Sequence, residues 1–94
     1  MKRIVAVFDL AGEPTPDDIR RAYDRFGMLG FSRYADPTLL PRMTVIGTWY
    51  DDKSIVEIRN AMMGMMTEAG MPLSHLLVVE LNEAAWFGPN LDRA

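Results

Sequence analysis

The sequence predicts an α+β fold of the order β-α-β-β-α-β, a two-layer sandwich in which two helices cover one face of an antiparallel sheet. Two observations predict it. Four segments carry the β-branched and aromatic residues that strands favour. Two other segments, at 15–26 and 54–69, repeat apolar residues at helical spacing. The length of 94 residues fits one domain, 1–94, with a small core.

The four predicted strands differ in how clearly they indicate burial. The first holds five consecutive apolar residues, which indicates a strand buried on both faces. The second is short, and a loop or wide hairpin tip at 36–41 separates it from the third. A tail at 84–88 is a candidate for a short edge strand. The predicted strand ranges are 3–10, 31–34, 43–50 and 76–81.

Both predicted helices begin at a capping residue. Thr15 precedes a proline and two acids, which suit the first turn of a helix. Ser54 and Glu57 have the spacing of a capping box. The second helix is rich in methionine, and helical spacing places Met63 away from the core face, where a partner would contact it. With the strands, these helices complete the ferredoxin-like element order.

Composition excludes several classes of protein. The formal net charge of −3 argues against a nonspecific binder that wraps nucleic acid, because such a protein needs a basic surface. The absence of cysteine excludes disulfides and thiolate metal sites. No stretch resembles a signal peptide or is apolar enough to span a bilayer, so we expect a cytoplasmic protein without membrane contact.

Four short segments carry a resemblance to a known family. They are the first strand ending in aspartate, the end of the first helix, the end of the third strand, and the last strand with its aromatic tail. In this sequence they read Val5-Ala6-Val7-Phe8-Asp9-Leu10, Arg25-Phe26-Gly27, Thr48-Trp49-Tyr50, and Leu77-Val78-Val79-Glu80 with Ala85-Trp86. Over nearly its full length the chain resembles the small CRISPR-associated and virulence-associated-protein-D-like group of ferredoxin-fold proteins.

The resemblance implies a homodimer with a role in nucleic-acid processing. Several members of the group are metal-dependent nucleases, in which the first-strand aspartates of two subunits hold a divalent metal. Carried over to this sequence, Asp9 is the implied catalytic residue and metal ligand. The implied metal is Mg²⁺ or Mn²⁺, and the implied activity is that of an endoribonuclease or endodeoxyribonuclease.

The residues around Asp9 allow two interpretations. A carboxylate at the end of a buried strand can reach a ligand site, and two such carboxylates across a dimer axis repel each other unless a cation lies between them. Alternatively, Asp9 accepts hydrogen bonds from the loop amides near Ala11. Asp51 and Asp52 follow the third strand. Parallel central strands would bring them to the end of the sheet where Asp9 lies, so that they could supply a second carboxylate to the same metal. The alternative interpretation is that the two acids form a charged turn.

Four further residues are candidate contacts to nucleic acid or to a partner. Arg21 and Arg25 lie four apart on the first helix, where they can meet phosphates or pair with the acids of the same helix. Trp49 and Trp86 can stack on bases or pack in a core or dimer interface. His75 is the single histidine, and a lone histidine before a strand is usually structural or exposed to solvent; its other interpretation is a general base by default.

A second class of function is consistent with the same sequence. A small acidic protein of a phage or defence system can act without catalysis, as an anti-CRISPR-type inhibitor that binds a protein partner. The acidic second half of the chain and its methionines would form that surface. Metal dependence separates the two hypotheses, because only the nuclease needs Asp9 to hold a cation. In either case we expect nucleic-acid binding to be weak and sensitive to salt.

Overall fold

The computed structural model describes residues 1–35, 38–40 and 42–81. The predicted tail at 84–88, with Trp86, lies outside these residues. In chain order the elements are β1 (Lys2–Leu10), α1 (Pro16–Met28), β2 (Tyr34–Ala35), β3 (Thr38–Leu39), β4 (Thr44–Trp49), α2 (Ile55–Glu68) and β5 (Leu73–Leu81). Neither described helix is long and apolar enough to cross a membrane.

The main sheet has three strands in the order β4-β1-β5, and both pairs are antiparallel. Within the described residues, the place of a fourth strand in this sheet is taken by a single β-bridge at the outer edge of β4. There the Ser32 N–H donates to Ile46 O at 2.7 Å, and the Ile46 N–H donates to Ser32 O at 2.8 Å. Within the described residues the fold is therefore α+β, with two helices, a three-stranded main sheet and a separate pair of short strands. Its strand order is compatible with a ferredoxin-like fold whose second strand is reduced to one residue pair.

The predicted strand at 31–34 is wrong in extent, and a local hydrogen bond explains why. Ser32 Oγ accepts the Tyr34 N–H at 3.0 Å, which turns the backbone away from β4 directly after the bridge. The chain then forms a separate two-stranded hairpin from β2 and β3. The expected four-stranded sheet consequently has three full strands.

The first strand is buried on one face, so the expected burial on both faces is wrong. Ile4, Ala6, Phe8 and Leu10 alternate into the core. The intervening side chains lie on the opposite side of the sheet, called here the open face. The described open-face residues of the two long strands are Arg3, Val5, Val7 and Asp9 on β1 and His75, Leu77, Val79 and Leu81 on β5.

The core lies between the sheet and the two helices. Ile58, Met62 and Met66 of α2 are fully buried, and so is Phe26 of α1. The Phe26 ring packs against Phe8 with the ring centroids 4.7 Å apart. The structure confirms both predicted helix starts, since Thr15 and Ser54 each cap their helix in a complete capping box. The methionines at helical spacing are therefore mainly core residues.

The two adjacent methionines of α2 provide a test of this packing. Met62 is fully buried, whereas Met63 is 39% exposed. We expect Met62→Ala to lower the free energy of unfolding by roughly 2–5 kcal/mol, because it leaves a cavity among core side chains. The matched change Met63→Ala should stay within about 0.5 kcal/mol. Urea unfolding followed by circular dichroism measures both, and equal effects would contradict this core.

Candidate functional site

Asp9 lies one residue before the end of β1, on the open face, with its side chain exposed. It is placed there by its neighbours, because Phe8 and Leu10 point into the core and strand side chains alternate. The proposed loop-capping role is not seen. The Ala11 N–H donates to Pro72 O at 2.9 Å, and within the described residues no backbone amide donates to the Asp9 carboxylate.

A β-bulge faces Asp9 on the neighbouring strand. Asp9 pairs with His75 and Leu10 pairs with Leu73, so Ser74 is an extra residue in β5. A bulge of this kind bends its strand and changes the direction of nearby side chains. Its effect here is that the Ser74 hydroxyl lies beside the His75 ring, with 3.1 Å between Oγ and Nδ1.

The surroundings of Ser74 favour one of the two neutral tautomers of His75. Ser74 Oγ also lies 3.3 Å from the carbonyl oxygen of Asp9 and 3.4 Å from that of Leu10. A carbonyl oxygen can only accept, so these two groups attract the single hydroxyl proton. Oγ is then free to accept a hydrogen bond from the Nδ1–H of His75. This arrangement leaves the lone pair of the His75 Nε2 available as a base or ligand.

Asp9 and His75 line a shallow cleft of about 640 Å³, called here the Asp9 cleft. Its chemistry is that of one carboxylate, one imidazole and one guanidinium, contributed by Arg42. Such a set can accept a proton and bind an anionic oxygen in the same place. The lining residues are Val7, Phe8, Asp9, Arg42, Met43, His75, Leu76 and Leu77.

The described part of one copy does not supply a complete metal site. Among the residues that the structure describes, no three His, Asp or Glu side chains are grouped so as to hold a cation. Asp51 and Asp52 do not lie near Asp9 and cannot share a metal ion with it in one subunit. The reason is that β1 and β4 are antiparallel, with Lys2 paired to Trp49. The Asp52 carboxylate lies 3.9 Å from Lys2 Nζ, at the opposite end of β1 from Asp9. The expectation of parallel central strands was wrong.

The predicted arginine contacts on α1 lie away from the Asp9 cleft. Arg21 donates to the Asp18 carboxylate at 2.5 Å. The backbone N–H of Thr15, and then Arg21, hold the pKa of Asp18 below its ordinary value. Arg25 donates to the sulfur of Met28 at 3.5 Å. The expected pairing of Arg21 with the acids of its own helix is therefore present.

The two predicted tryptophan contacts have different outcomes. Trp49 is half-buried and packs against the core, with its ring 6.5 Å from that of Phe31. Its packing favours the structural alternative over base stacking. Trp86 lies outside the described residues. Sequence reasoning missed Ser74 and Arg42, because a bulge and a contact made across the fold leave no local spacing pattern.

The bulge leads to a prediction about His75. We expect two-dimensional ¹⁵N–¹H NMR of the neutral ring to show the Nδ1–H tautomer, because Ser74 Oγ accepts from that nitrogen. Ser74→Ala removes the acceptor and should shift the population toward Nε2–H. The change Ser54→Ala, at a serine that caps α2, serves as the control and should leave the ring unchanged. A wild-type ring in the Nε2–H form would contradict the assignment.

Comparison with protein-family models, with curated proteins and with solved structures finds no match. The resemblance of the sequence to the CRISPR-associated and virulence-associated-protein-D-like group therefore stays a hypothesis. The functional interpretation depends on the geometry of the Asp9 cleft and of the open face.

Proposed function

We propose that the chain forms a homodimer of ferredoxin-like subunits that acts in nucleic-acid processing, with Asp9 of two copies holding Mg²⁺ or Mn²⁺ for phosphodiester hydrolysis. The single observation that carries the proposal is the placement of Asp9. Its carboxylate is exposed on the sheet face that neither described helix covers, in a cleft that also contains His75 and Arg42. The sequence resemblance to a group with dimeric, metal-dependent nucleases supports the same proposal.

The open face supports the dimer. Val7 pairs with Leu77, and Val5 pairs with Val79, so these four side chains form one apolar patch across two strands. Leu77 is 59% exposed and Val79 is 41% exposed. Contiguous apolar surface on a sheet face is typical of an interface, because its burial removes that surface from water. We call these four residues the open-face patch.

The orientation of the dimer axis decides what Asp9 meets. When two sheets face each other, their two-fold axis lies in the plane between them. An axis parallel to β1 brings the two Asp9 carboxylates to the same end of the interface. An axis perpendicular to β1 places Asp9 opposite Arg3 of the second copy, which gives an ion pair. The proposed function requires the parallel axis.

The donor set of two facing copies fits a hard divalent cation. Two Asp9 carboxylates supply charged oxygens, and water completes the coordination that Mg²⁺ prefers. When bound, the metal would lower the pKa of a water molecule and neutralise charge on the phosphodiester. His75 Nε2 accepts a proton from the attacking water. Arg42 donates N–H groups to the phosphate oxygens, and its fork geometry suits two of them at once.

The dimer is tested at the open-face patch. We expect light scattering to show a dimer for the wild-type protein, and a monomer for Leu77→Glu, because the charge would be buried in the interface. Val56→Glu is the matched control, since Val56 is similarly exposed, at 54%, but lies on α2. A wild-type monomer at high micromolar concentration would exclude the dimer, and an unchanged Leu77→Glu dimer would place the interface elsewhere.

Catalysis is tested at Asp9. Cleavage of RNA and DNA is measured with Mg²⁺ or Mn²⁺, and Asp9→Asn should abolish it while the circular dichroism spectrum stays unchanged. The reason is that an amide lacks the charge needed to hold the cation. Asp52→Asn removes one carboxylate at the other end of β1 and should leave cleavage intact. Equal cleavage by wild type and Asp9→Asn would remove Asp9 from the site, and absence of cleavage by wild type would exclude the nuclease.

The non-enzymatic inhibitor remains the second candidate. The observation that favours it is the outer surface of α2, where Val56 is 54% exposed and Met63 is 39% exposed. Exposed methionine suits an adaptable protein interface. An inactive protein whose partner binding is weakened by Met63→Glu but not by Asp9→Asn would favour this candidate over the nuclease.

A further inference from the structure

A second cavity, of about 600 Å³, lies between the first helix and the β2–β3 hairpin. Three arginines line it: Arg20 from α1, Arg33 before the hairpin and Arg42 after it. The rest of its wall is largely apolar and includes Ile19, Leu39 and Leu40. We call this space the arginine cavity. Its volume is within the range of small-molecule sites.

Arg33 is held in place by a cation–π contact. Its guanidinium carbon lies 4.2 Å above the centre of the Tyr23 ring. This attraction uses no N–H hydrogen bond of the guanidinium, so its donors stay available to a ligand. Tyr23 is itself fixed, because its hydroxyl oxygen accepts the Met43 N–H at 2.6 Å and its ring meets Phe8 edge to face. Arg33 therefore loses less side-chain freedom when it binds a ligand.

The charges around the cavity are unbalanced. Arg20 pairs with Asp17, which holds the pKa of Arg20 above its ordinary value. Within the described residues, the ion pairs closer than 4 Å include neither Arg33 nor Arg42. Among the described residues that line the cavity there is no carboxylate, and two of its three guanidinium groups belong to none of these ion pairs, in a protein whose net charge is −3. This local positive charge fits an anionic ligand.

We propose that the arginine cavity binds the phosphate of a nucleotide, either free or within a single-stranded nucleic acid. Arg33 and Arg42 donate to the phosphate oxygens, and the apolar wall with the guanidinium plane of Arg33 accommodates the base. Arg42 also lines the Asp9 cleft, so a strand bound here would reach that cleft by passing Arg42. The two sites share Arg42, but binding in the arginine cavity needs neither a metal nor Asp9, so it can be measured separately from the proposed hydrolysis.

The test is a binding titration at low salt with three probes, inorganic phosphate, adenosine monophosphate and a fluorescent pentathymidylate, and with adenosine as the control that lacks a phosphate. We expect both nucleotide probes to bind more tightly than inorganic phosphate. Tighter binding of the oligonucleotide identifies a strand as the ligand, and equal binding identifies a single nucleotide. Arg33→Gln and Arg42→Gln should each weaken binding about ten-fold or more, since each removes a charged hydrogen bond. Arg59→Gln makes the same charge change on the exposed surface of α2 and should bind as wild type.

Salt dependence gives an independent readout. Two phosphate contacts to a single strand predict a slope of roughly −1.4 in a plot of log binding constant against log salt concentration, at about −0.7 for each contact. The double change Arg33→Gln with Arg42→Gln should bring this slope near zero. The proposal is overturned if adenosine without phosphate binds as tightly as its monophosphate, if the double variant binds as wild type, or if no probe binds. Asp9→Asn should bind all probes as wild type does. Because this variant should lose cleavage but keep binding, the nucleotide-binding proposal and the hydrolysis proposal can be rejected separately.

Discussion

The burial of Phe8 is the constraint on which the rest of the structure depends. Its ring lies against Phe26, and its edge-to-face contact with Tyr23 joins β1 to α1 at a second point. Its backbone N–H donates to Met43 O at 2.9 Å, which fixes the start of β4 beside the central strand. Because strand side chains alternate, the inward ring also sets the outward direction of Asp9. One apolar residue thus links the helix layer, the sheet edge and the candidate site.

The sequence predicted the helices better than the sheet, for a physical reason. Helix starts are local, and the capping boxes at Thr15 and Ser54 involve residues only three apart. A strand is completed by partners far along the chain. The predicted second strand was reduced to a bridge because Ser32 bonds its own neighbour Tyr34. The apolar run of the first strand could not show that both helices cover the same face of the sheet.

The candidate site was predicted only in part, for the same reason. Asp9 was visible because a carboxylate at the end of an apolar strand is unusual. Arg33 and Arg42 were not, since they flank a hairpin and line one cavity only after the chain has folded. The interpretation of Asp51 and Asp52 depended on strand direction, which their local sequence does not encode. The residues most useful for a function hypothesis are thus those that tertiary contacts bring together.

The bulge at Ser74 places a reactive side chain of the Asp9 cleft on a backbone whose course is fixed mainly by apolar residues. Leu73 and Leu76 are three residues apart, yet both pack against the core, which an uninterrupted strand would not allow. Burial of these two leucines therefore fixes the extra residue, and with it the positions of Ser74 and His75. The Ser74 hydroxyl adds contacts to the carbonyl oxygens of Asp9 and Leu10, whereas the His75 ring is not among the side chains that pack against the core. An exchange at position 75 would therefore change the chemistry of the Asp9 cleft while the two leucines keep the bulge in place.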